Sequence, residues 1–123
     1  MARILIIEAD ARLRQNLCES LIAANYEVAT APHGKAALLQ MRHWKADLVI
    51  TDMLMPEMDG VETINALRRE HPGVRIIAVS GGGLSPAGTY LRLASALGAQ
   101  RTLAKPFTRS EMLAVVQTVL LAA

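Results

Sequence analysis

Residues 4–10 read Ile-Leu-Ile-Ile-Glu-Ala-Asp, an aliphatic run that ends in two acidic residues separated by an alanine. A short apolar run that closes in carboxylates is typical of a buried strand that carries charged side chains to a site at its end. This stretch therefore predicts a first strand over residues 3–8, and it makes Glu8 and Asp10 the first candidate functional residues.

The same pattern recurs along the chain. Five strands are predicted, at residues 3–8, 26–31, 47–51, 75–80 and 101–104. Apolar residues between them recur at spacings of three and four, which indicates amphipathic helices. Ala37, Met41 and Trp44 mark the second helix, and the capping box Thr108-Arg109-Ser110-Glu111 marks the start of the last. Strands that are apolar on both faces predict a parallel sheet covered by helices, so residues 1–123 are predicted to form one doubly wound α/β domain.

Composition limits the classes of function. The net charge is only +2 and the basic residues are scattered, without helix-turn-helix or zinc-ligand spacing, so direct nucleic-acid binding is not expected. The single cysteine, Cys18, excludes an intrachain disulfide and fits a reducing compartment. The first apolar run is too short for a signal peptide, and no segment approaches a membrane-spanning length. These features predict a soluble cytoplasmic protein without membrane contact.

Polar residues collect where the predicted strands end. Ligands of doubly wound sheets bind beyond the carboxyl ends of the strands, at the switch point in strand order. With the flavodoxin-like order 2-1-3-4-5, strands one and three are neighbours there. The residues at these ends are Glu8, Asp10, Asp52, Ser80 and Lys105. Three carboxylates in one crevice would repel each other unless a cation joined them, and oxygen ligands of this kind predict Mg²⁺.

A metal-bound carboxylate, a hydroxyl and a lysine together suggest phosphoryl transfer with an aspartate as the nucleophile. The chain offers no Walker loop, because the run Ser80-Gly81-Gly82-Gly83 lacks the lysine that should follow, and we interpret residues 81–88 as a flexible loop. A flavin site is disfavoured, since Glu8 and Asp10 would repel a phosphate.

Simpler roles compete with these assignments. Asp10 most simply caps the first helix, which is favoured over metal ligation. Ser80 alone is an ordinary strand-end hydroxyl, and Lys105 alone is a solvated charge. The three histidines are expected to be solvated: His33, His43 and His71. The combination at four strand ends is what favours a site.

Three longer motifs carry a family resemblance. They are Asp47-Leu48-Val49-Ile50-Thr51-Asp52 followed by Met55-Pro56-Glu57-Met58-Asp59-Gly60, Ile76-Ile77-Ala78-Val79-Ser80, and Leu103-Ala104-Lys105-Pro106-Phe107. With the first strand, these motifs make essentially the whole chain resemble the receiver domains of response regulators in two-component signalling.

The resemblance implies a phosphoaccepting switch rather than a turnover enzyme. Asp52 would accept a phosphoryl group from a histidine kinase or phosphotransfer protein, Ser80 would contact that group, and Lys105 would pair with it. Glu8, Asp52 and the backbone carbonyl of Leu54 would hold Mg²⁺. The Lys105-Pro106 peptide would be cis. A downstream protein would bind the face formed by helix four, strand five and helix five.

The chain departs from the family pattern at two positions. Ala9 stands where receivers usually carry a second acid that reaches the metal, and Thr102 stands where an aromatic residue usually acts with the strand-four hydroxyl as a switch. We therefore expect weakened Mg²⁺ binding, with Asp10 as a substitute ligand. A degenerate receiver that binds partners without phosphorylation remains an alternative. A metal-dependent phosphatase would need an acid where Leu54 stands.

Overall fold

The structure is a computed structural model that describes residues 1–54, 58–81 and 87–122, with side chains in the last range from Arg92 onward. Strands and helices alternate throughout. The strands are β1 (Arg3–Ile7), β2 (Glu27–Ala31), β3 (Leu48–Asp52), β4 (Arg75–Gly81) and β5 (Arg101–Lys105). The helices are α1 (Ala11–Ala23), α2 (Gly34–Met41), α3 (Gly60–Glu70), α4 (Ala87–Ala96) and α5 (Arg109–Leu121).

The five strands form one parallel sheet in the order β2-β1-β3-β4-β5, as the sequence predicted. β1 pairs with both β2 and β3, so the chain runs outward in two directions from the boundary between β1 and β3. This boundary is the switch point at which loops from both halves of the sheet diverge and leave a crevice.

Each face of the sheet has its own apolar core, and alternation along the strands decides which residues enter it. Ile4, Ile6 and Ile50 pack under α1 and α5, against Leu21 and Val116. On the other face, Leu5, Ile7 and Val49 are in the cluster that includes residues of α2, α3 and α4. Because both faces are covered, the central strands are buried at almost every position, which explains their unbroken apolar runs.

Helix starts are fixed by side chains that satisfy the first free N–H groups. Thr108 and Glu111 form the predicted capping box of α5, and Asp59 accepts from Glu62 N–H at the start of α3. His33 caps α2, because its Nδ1 accepts from Ala36 N–H at 3.2 Å. The expectation that His33 is simply solvated was therefore wrong, since a ring nitrogen served here as the acceptor that Ser or Asp usually provides.

Each predicted strand differs from the structure by one residue at one or both ends, and two further differences concern the second helix and the predicted loop. The second helix ends at Met41, not at Trp44, and Trp44 packs half-buried against the core from the connection that follows. Helical spacing alone does not show whether Trp44 belongs to the helix or to the connection after it, because in either position its side chain packs over the same face of the sheet. Of the predicted loop at 81–88, Gly81 is the last residue of β4 and residues 87–88 begin α4, while residues 82–86 lie outside the described residues.

In the part of the chain that the structure describes, no helix combines the length and apolar character needed to cross a membrane.

Candidate functional site

Three strands deliver charged side chains to one edge of the sheet. Glu8 follows the last residue of β1, Asp52 ends β3 and Lys105 ends β5. Glu8 and Asp52 are almost fully buried, with 4% and 7% of their surface exposed, whereas Lys105 is half-buried. A parallel sheet presents the carboxyl ends of all its strands at one edge, so these residues meet although 97 positions separate Glu8 from Lys105.

Lys105 joins the two acids. Its Nζ lies 2.9 Å from Glu8 Oε1 and 2.8 Å from Asp52 Oδ2. The cation that relieves the repulsion between the two carboxylates is thus a side chain of the chain itself. The three groups together carry a formal charge of −1, which leaves the crevice with one negative charge that Lys105 does not balance.

The other carboxylate oxygens are held by backbone donors. Asp10 N–H donates to Glu8 Oε2 at 3.0 Å, and Leu54 N–H donates to Asp52 Oδ1 at 3.1 Å. Each of the four oxygens therefore has a hydrogen-bond partner. These bonds fix the orientation of both carboxylates, because rotation of either would leave a buried oxygen without a donor.

Burial and pairing act in opposite directions on the ionisation of these groups. Burial raises the pKa of Glu8 above its ordinary value, although the Asp10 N–H and Lys105 act to lower it. Burial also disfavours the charged Lys105, but its hydrogen bonds to Asp52 and Glu8 outweigh this effect, so the pKa of Lys105 is raised. The lysine is therefore held as a cation at neutral pH.

Asp10 is turned away from this cluster. Its Oδ1 accepts from Arg12 N–H at 2.9 Å and Leu13 N–H at 3.2 Å, as expected for the cap of α1. The expectation that three carboxylates share the crevice was wrong, because the free N–H groups of the helix compete for the third. Within residues 1–54, 58–81 and 87–122, no group of three or more Asp, Glu, His or Cys residues is placed to hold a metal ion.

The donor set nevertheless suits a hard cation in part. Glu8 and Asp52 supply anionic oxygens and an excess negative charge, and Mg²⁺ commonly binds through one or two carboxylates and several waters. The Leu54 N–H orients Asp52, while the role of the Leu54 carbonyl as a further ligand stays a prediction. Two protein carboxylates instead of three predict a more hydrated and weaker site.

Ser80 and Thr102 project from the other face of the sheet, the one that α4 covers. Ser80 is 1% exposed, and its Oγ has no hydrogen-bond partner among the residues that the structure describes. Thr102 is half-buried on β5, where it pairs with Ala78. An orphaned buried hydroxyl costs free energy unless a ligand or water completes it, which makes Ser80 a candidate contact for an incoming polar group.

Close packing explains why the longest motif ends in a glycine, Gly60. Its N–H donates to Met53 O at 3.1 Å, and a Cβ at this position would lie 2.5 Å from Met53 Cα and 2.9 Å from Asp52 O. The lack of a side chain lets the start of α3 rest directly on the backbone that follows Asp52. Residues 55–57 of the same motif lie outside the described residues.

Arg14 was missed by the sequence interpretation. Its guanidinium donates to Glu8 O at 2.8 Å and, more weakly, to Ala9 O at 3.4 Å, so it fixes the loop between β1 and α1. A signal was present: Arg14 lies four residues after the capping Asp10, which places it one turn into the helix and within reach of that loop.

The matches to known proteins agree with this arrangement. The family model of the response regulator receiver domain matches residues 4–117. The chain belongs to this family. It is 31% identical over 118 residues to the chemotaxis protein CheY of Thermotoga maritima, with 95% of this chain and 96% of the relative aligned. It is 30% identical to the response regulator receiver protein CpdR of Brucella abortus over the full length of both.

Solved structures show the same fold. The chemotaxis response regulator CheY4 of Vibrio cholerae superposes with a TM-score of 0.86 at 31% identity, covering 97% of this chain and 98% of that one. Other relatives are longer. The receiver spans 47% of the probable transcriptional regulator ycf27 of Pyropia yezoensis, to which it is 33% identical over 118 residues. Receiver domains are signalling domains of two-component systems and pair with histidine kinases.

Proposed function

We propose that this receiver is a phosphoaccepting switch of a two-component phosphorelay. Asp52 attacks the phosphorus of a phosphohistidine on a histidine kinase or phosphotransfer protein. A P–O bond forms to the carboxylate as the P–N bond breaks, and the imidazole leaves with the electron pair and takes up a proton. The product is an acyl phosphate on Asp52.

The observation that carries this proposal is the position of Lys105 Nζ, 2.8 Å from Asp52 Oδ2 and 2.9 Å from Glu8 Oε1. A carboxylate nucleophile and a phosphoryl group are both negatively charged, and the adjacent ammonium offsets the repulsion between them. The same ammonium is placed to neutralise phosphoryl oxygens as the group arrives, and such preorganised charge is the main means of catalysis in phosphoryl transfer.

Ser80 supports a response to phosphorylation. Within the described part of the chain its buried hydroxyl has no hydrogen-bond partner, so a phosphoryl oxygen within reach would satisfy it. Ser80 and Thr102 lie on the face covered by α4. We propose that the bound group draws Ser80 toward Asp52, and that Thr102 and the face of α4, β5 and α5 transmit the change to a downstream protein. Because threonine buries less area than an aromatic side chain, Ser80 and the segment after it carry most of the change.

Mg²⁺ fits this chemistry as a supplementary charge. When bound, the ion would neutralise phosphoryl oxygens that Lys105 does not reach. Glu8 and Asp52 would hold it, with the Leu54 carbonyl and water. Asp10 is a weaker candidate, because its carboxylate would have to leave the N-terminus of α1. The Ala9 side chain has no ligand atom.

The donor has an approach beside Lys105. An apolar recess of about 230 Å³ is lined by Leu13, Lys105, Pro106 and Phe107. A larger recess, of about 330 Å³, lies at the opposite edge of the sheet and contains none of these four residues. We propose a protein donor and a protein target, with no direct contact to nucleic acid.

The test is incubation with a small-molecule phosphodonor and Mg²⁺, followed by intact mass. Wild type should gain the mass of one phosphoryl group, labile to mild base or hydroxylamine, and Asp52→Asn should gain none. Undiminished labelling of Asp52→Asn would overturn the assignment of the acceptor.

Ala9 and the hydrogen bonds of Lys105 to Glu8 and Asp52 favour a second candidate function, that of a degenerate receiver. A degenerate receiver would bind its partner with Lys105 permanently closing the crevice, and no phosphoryl group would be needed. Absence of any mass gain in a folded wild-type protein, with partner binding retained in Asp52→Asn, would favour this function over the first.

A further inference from the structure

The turn between β1 and α1 begins with a carbonyl that the sheet leaves without a strand partner. Glu8 is buried, and its N–H continues the pairing with β2 by donating to Ala31 O at 3.1 Å. β1 itself ends at Ile7, and no backbone N–H of the described residues donates to Glu8 O. A buried carbonyl without a donor costs free energy, so Glu8 O needs a donor from another part of the chain.

Arg14 supplies that donor. Its Nη1 donates to Glu8 O at 2.8 Å and to Ala9 O at 3.4 Å, while its backbone N–H donates to Asp10 O at 2.9 Å. One residue therefore holds all three carbonyls of the turn Glu8-Ala9-Asp10. These bonds set the separation between Glu8 and Asp10.

That separation decides where the Glu8 carboxylate points. Asp10 N–H donates to Glu8 Oε2 at 3.0 Å, and the other oxygen, Oε1, lies 2.9 Å from Lys105 Nζ. The hydrogen bonds of the Arg14 guanidinium to described residues go to backbone oxygens, so its effect on the carboxylate is indirect.

We propose that Arg14 is the positioning residue of Glu8: by holding the carbonyls of the turn, its guanidinium keeps Asp10 N–H on Oε2 and keeps Oε1 in the crevice. Glu8 has no substitute beside it, because the Ala9 side chain has no ligand atom and the Asp10 carboxylate caps α1. The orientation of Glu8 follows from these contacts alone, whereas its consequence for Mg²⁺ rests on the function proposed above.

Charge and position predict opposite effects of removing the guanidinium. Loss of a cation near the crevice would, by Coulomb's law alone, tighten the binding of Mg²⁺. Loss of a group that orients a metal-binding side chain weakens metal binding, by about ten- to a hundredfold. The direction of the change therefore separates a positioning residue from a nearby charge.

The test compares Arg14→Met with Arg12→Met by calorimetric titration with Mg²⁺. Methionine keeps most of the aliphatic stem and removes the donors. Arg12 is exposed on the same helix, and the hydrogen bond that it donates to Asp10 comes from its backbone N–H, so Arg12→Met removes the same charge without releasing the turn. Affinity for Mg²⁺ should fall about tenfold in Arg14→Met and stay within about twofold of wild type in Arg12→Met.

Two results would overturn the proposal: unchanged or tighter binding in Arg14→Met, or an equal loss in Arg12→Met. Arg14→Lys is a second variant, because its ammonium keeps the charge and a donor but not the planar fork of the guanidinium. Its Mg²⁺ affinity should lie between those of wild type and Arg14→Met. If Arg14→Met does not fold, a wild-type affinity in Arg14→Lys would contradict the proposal.

A second measurement needs neither Mg²⁺ nor phosphorylation. Hydrogen exchange of the Asp10 amide reports its bond to Glu8 Oε2, and it should be about tenfold faster in Arg14→Met than in Arg12→Met. The Glu111 amide, which donates to Thr108 Oγ1 at the start of α5, is the internal control and should exchange equally in both variants.

The two measurements separate the position of Glu8 from its proposed role. Wild-type exchange of the Asp10 amide in Arg14→Met would refute the positioning, whatever the protein does with Mg²⁺. Faster exchange at Asp10 alone, in a wild-type background that binds no Mg²⁺, would support the positioning and refute the metal site.

Discussion

Two partly buried cations lie at opposite edges of the sheet and have opposite surroundings. At the carboxyl ends of the strands, Lys105 contacts two carboxylates, Glu8 and Asp52. At the amino ends of β4 and β5, the hydrogen bonds that Arg68 donates to described residues all go to neutral oxygens. Its acceptors are the carbonyls of Pro72 (3.3 Å), Val74 (2.9 Å) and Gly98 (2.9 Å), and Gln100 Oε1 (3.1 Å).

Their protonation equilibria differ accordingly. The acids more than offset burial for Lys105 and raise its pKa, whereas burial lowers the pKa of Arg68. Arg68 connects the end of α3 to the starts of β4 and β5 through hydrogen bonds to uncharged carbonyl and amide oxygens. Lys105 instead contacts two carboxylates, whose combined charge exceeds its own. Arg68 is therefore a cation that stabilises the fold, whereas Lys105 is placed to contact a ligand.

The largest effect is expected from removing the cation at the carboxyl edge. Lys105→Met should slow phosphoryl incorporation by roughly 10²–10³-fold, because the charge that meets the phosphoryl oxygens is lost. Lys35→Met, an exposed lysine on α2, is the matched control and should keep the wild-type rate. Intact mass against time measures both. A Lys105→Met rate close to wild type would contradict the functional role assigned to Lys105.

The opposite cation should affect stability instead. Arg68→Met leaves the carbonyls of Val74 and Gly98 without this donor, and we expect a loss of about 2–3 kcal/mol in the free energy of unfolding, given partial exposure of the side chain. Arg69→Met is the control, since Arg69 is exposed and has only a 3.7 Å contact with Glu70. Urea titration gives the stability. A large drop in the phosphorylation rate of folded Arg68→Met would show that the two edges are coupled.

The sequence predicted one of these edges better than the other. The carboxyl edge was predictable because strand ends are marked by the change from apolar to polar residues, and parallel strands bring those ends together. Arg68 was not, because its acceptors are backbone carbonyls, which leave no signature in the sequence. Arg14 also donates to backbone carbonyls, and its spacing of four residues from Asp10 was the one available signal.

Competition between acceptors limited the rest of the prediction. The sequence favoured Asp10 as the cap of α1 over metal ligation, and the structure confirms that cap, but the sequence also placed Asp10 in the crevice as a third carboxylate. The sequence therefore predicted the fold and which strands meet, and left the division of contacts among neighbouring side chains open.

Substitution of Ala9 tests how many carboxylates the Mg²⁺ site needs. Ala9→Asp restores a third carboxylate and should tighten Mg²⁺ binding by about ten- to a hundredfold, or roughly 1–3 kcal/mol. Asp10→Ala should leave Mg²⁺ affinity nearly unchanged and lower stability by about 1 kcal/mol through the lost cap. Calorimetric titration with Mg²⁺ tests both variants. Unchanged affinity in Ala9→Asp together with lost binding in Asp10→Ala would identify Asp10 as the substitute ligand.

A smaller effect concerns alkaline pH. The folded-state pKa of Lys105 is raised above the ordinary 10.5, so its ion pairs stabilise the fold fully below that value and are lost as pH rises through the raised pKa. The stability difference between wild type and Lys105→Met, about 1 kcal/mol for a partly exposed pair, should therefore shrink above pH 10.5. Urea titrations over this range measure it. A difference that grows with pH would contradict the assigned direction.

The smallest expected effect is the response of Trp44 to Mg²⁺. Trp44 lies at the amino edge, where the Arg3 guanidinium sits 5.3 Å from its ring centroid. Arg3 is held there by Glu27 at 3.0 Å and by Asp47, which accepts from Arg3 N–H at 2.8 Å. A five-residue parallel strand spans about 16 Å, so the ring is far from a cation bound by Glu8 and Asp52.

Trp44 fluorescence should therefore change by no more than a few per cent when Mg²⁺ saturates the site, since quenching and electrostatic shifts at this distance are screened. Arg3→Met is the control for sensitivity: it removes the cation over the ring and should alter the emission of Trp44 without affecting phosphoryl incorporation. A strong Mg²⁺-dependent change in wild type, matched in midpoint to calorimetric binding, would mean that ion binding rearranges the whole length of β1 and β3. The carboxyl and amino ends of the strands would then respond to Mg²⁺ as one cooperative unit.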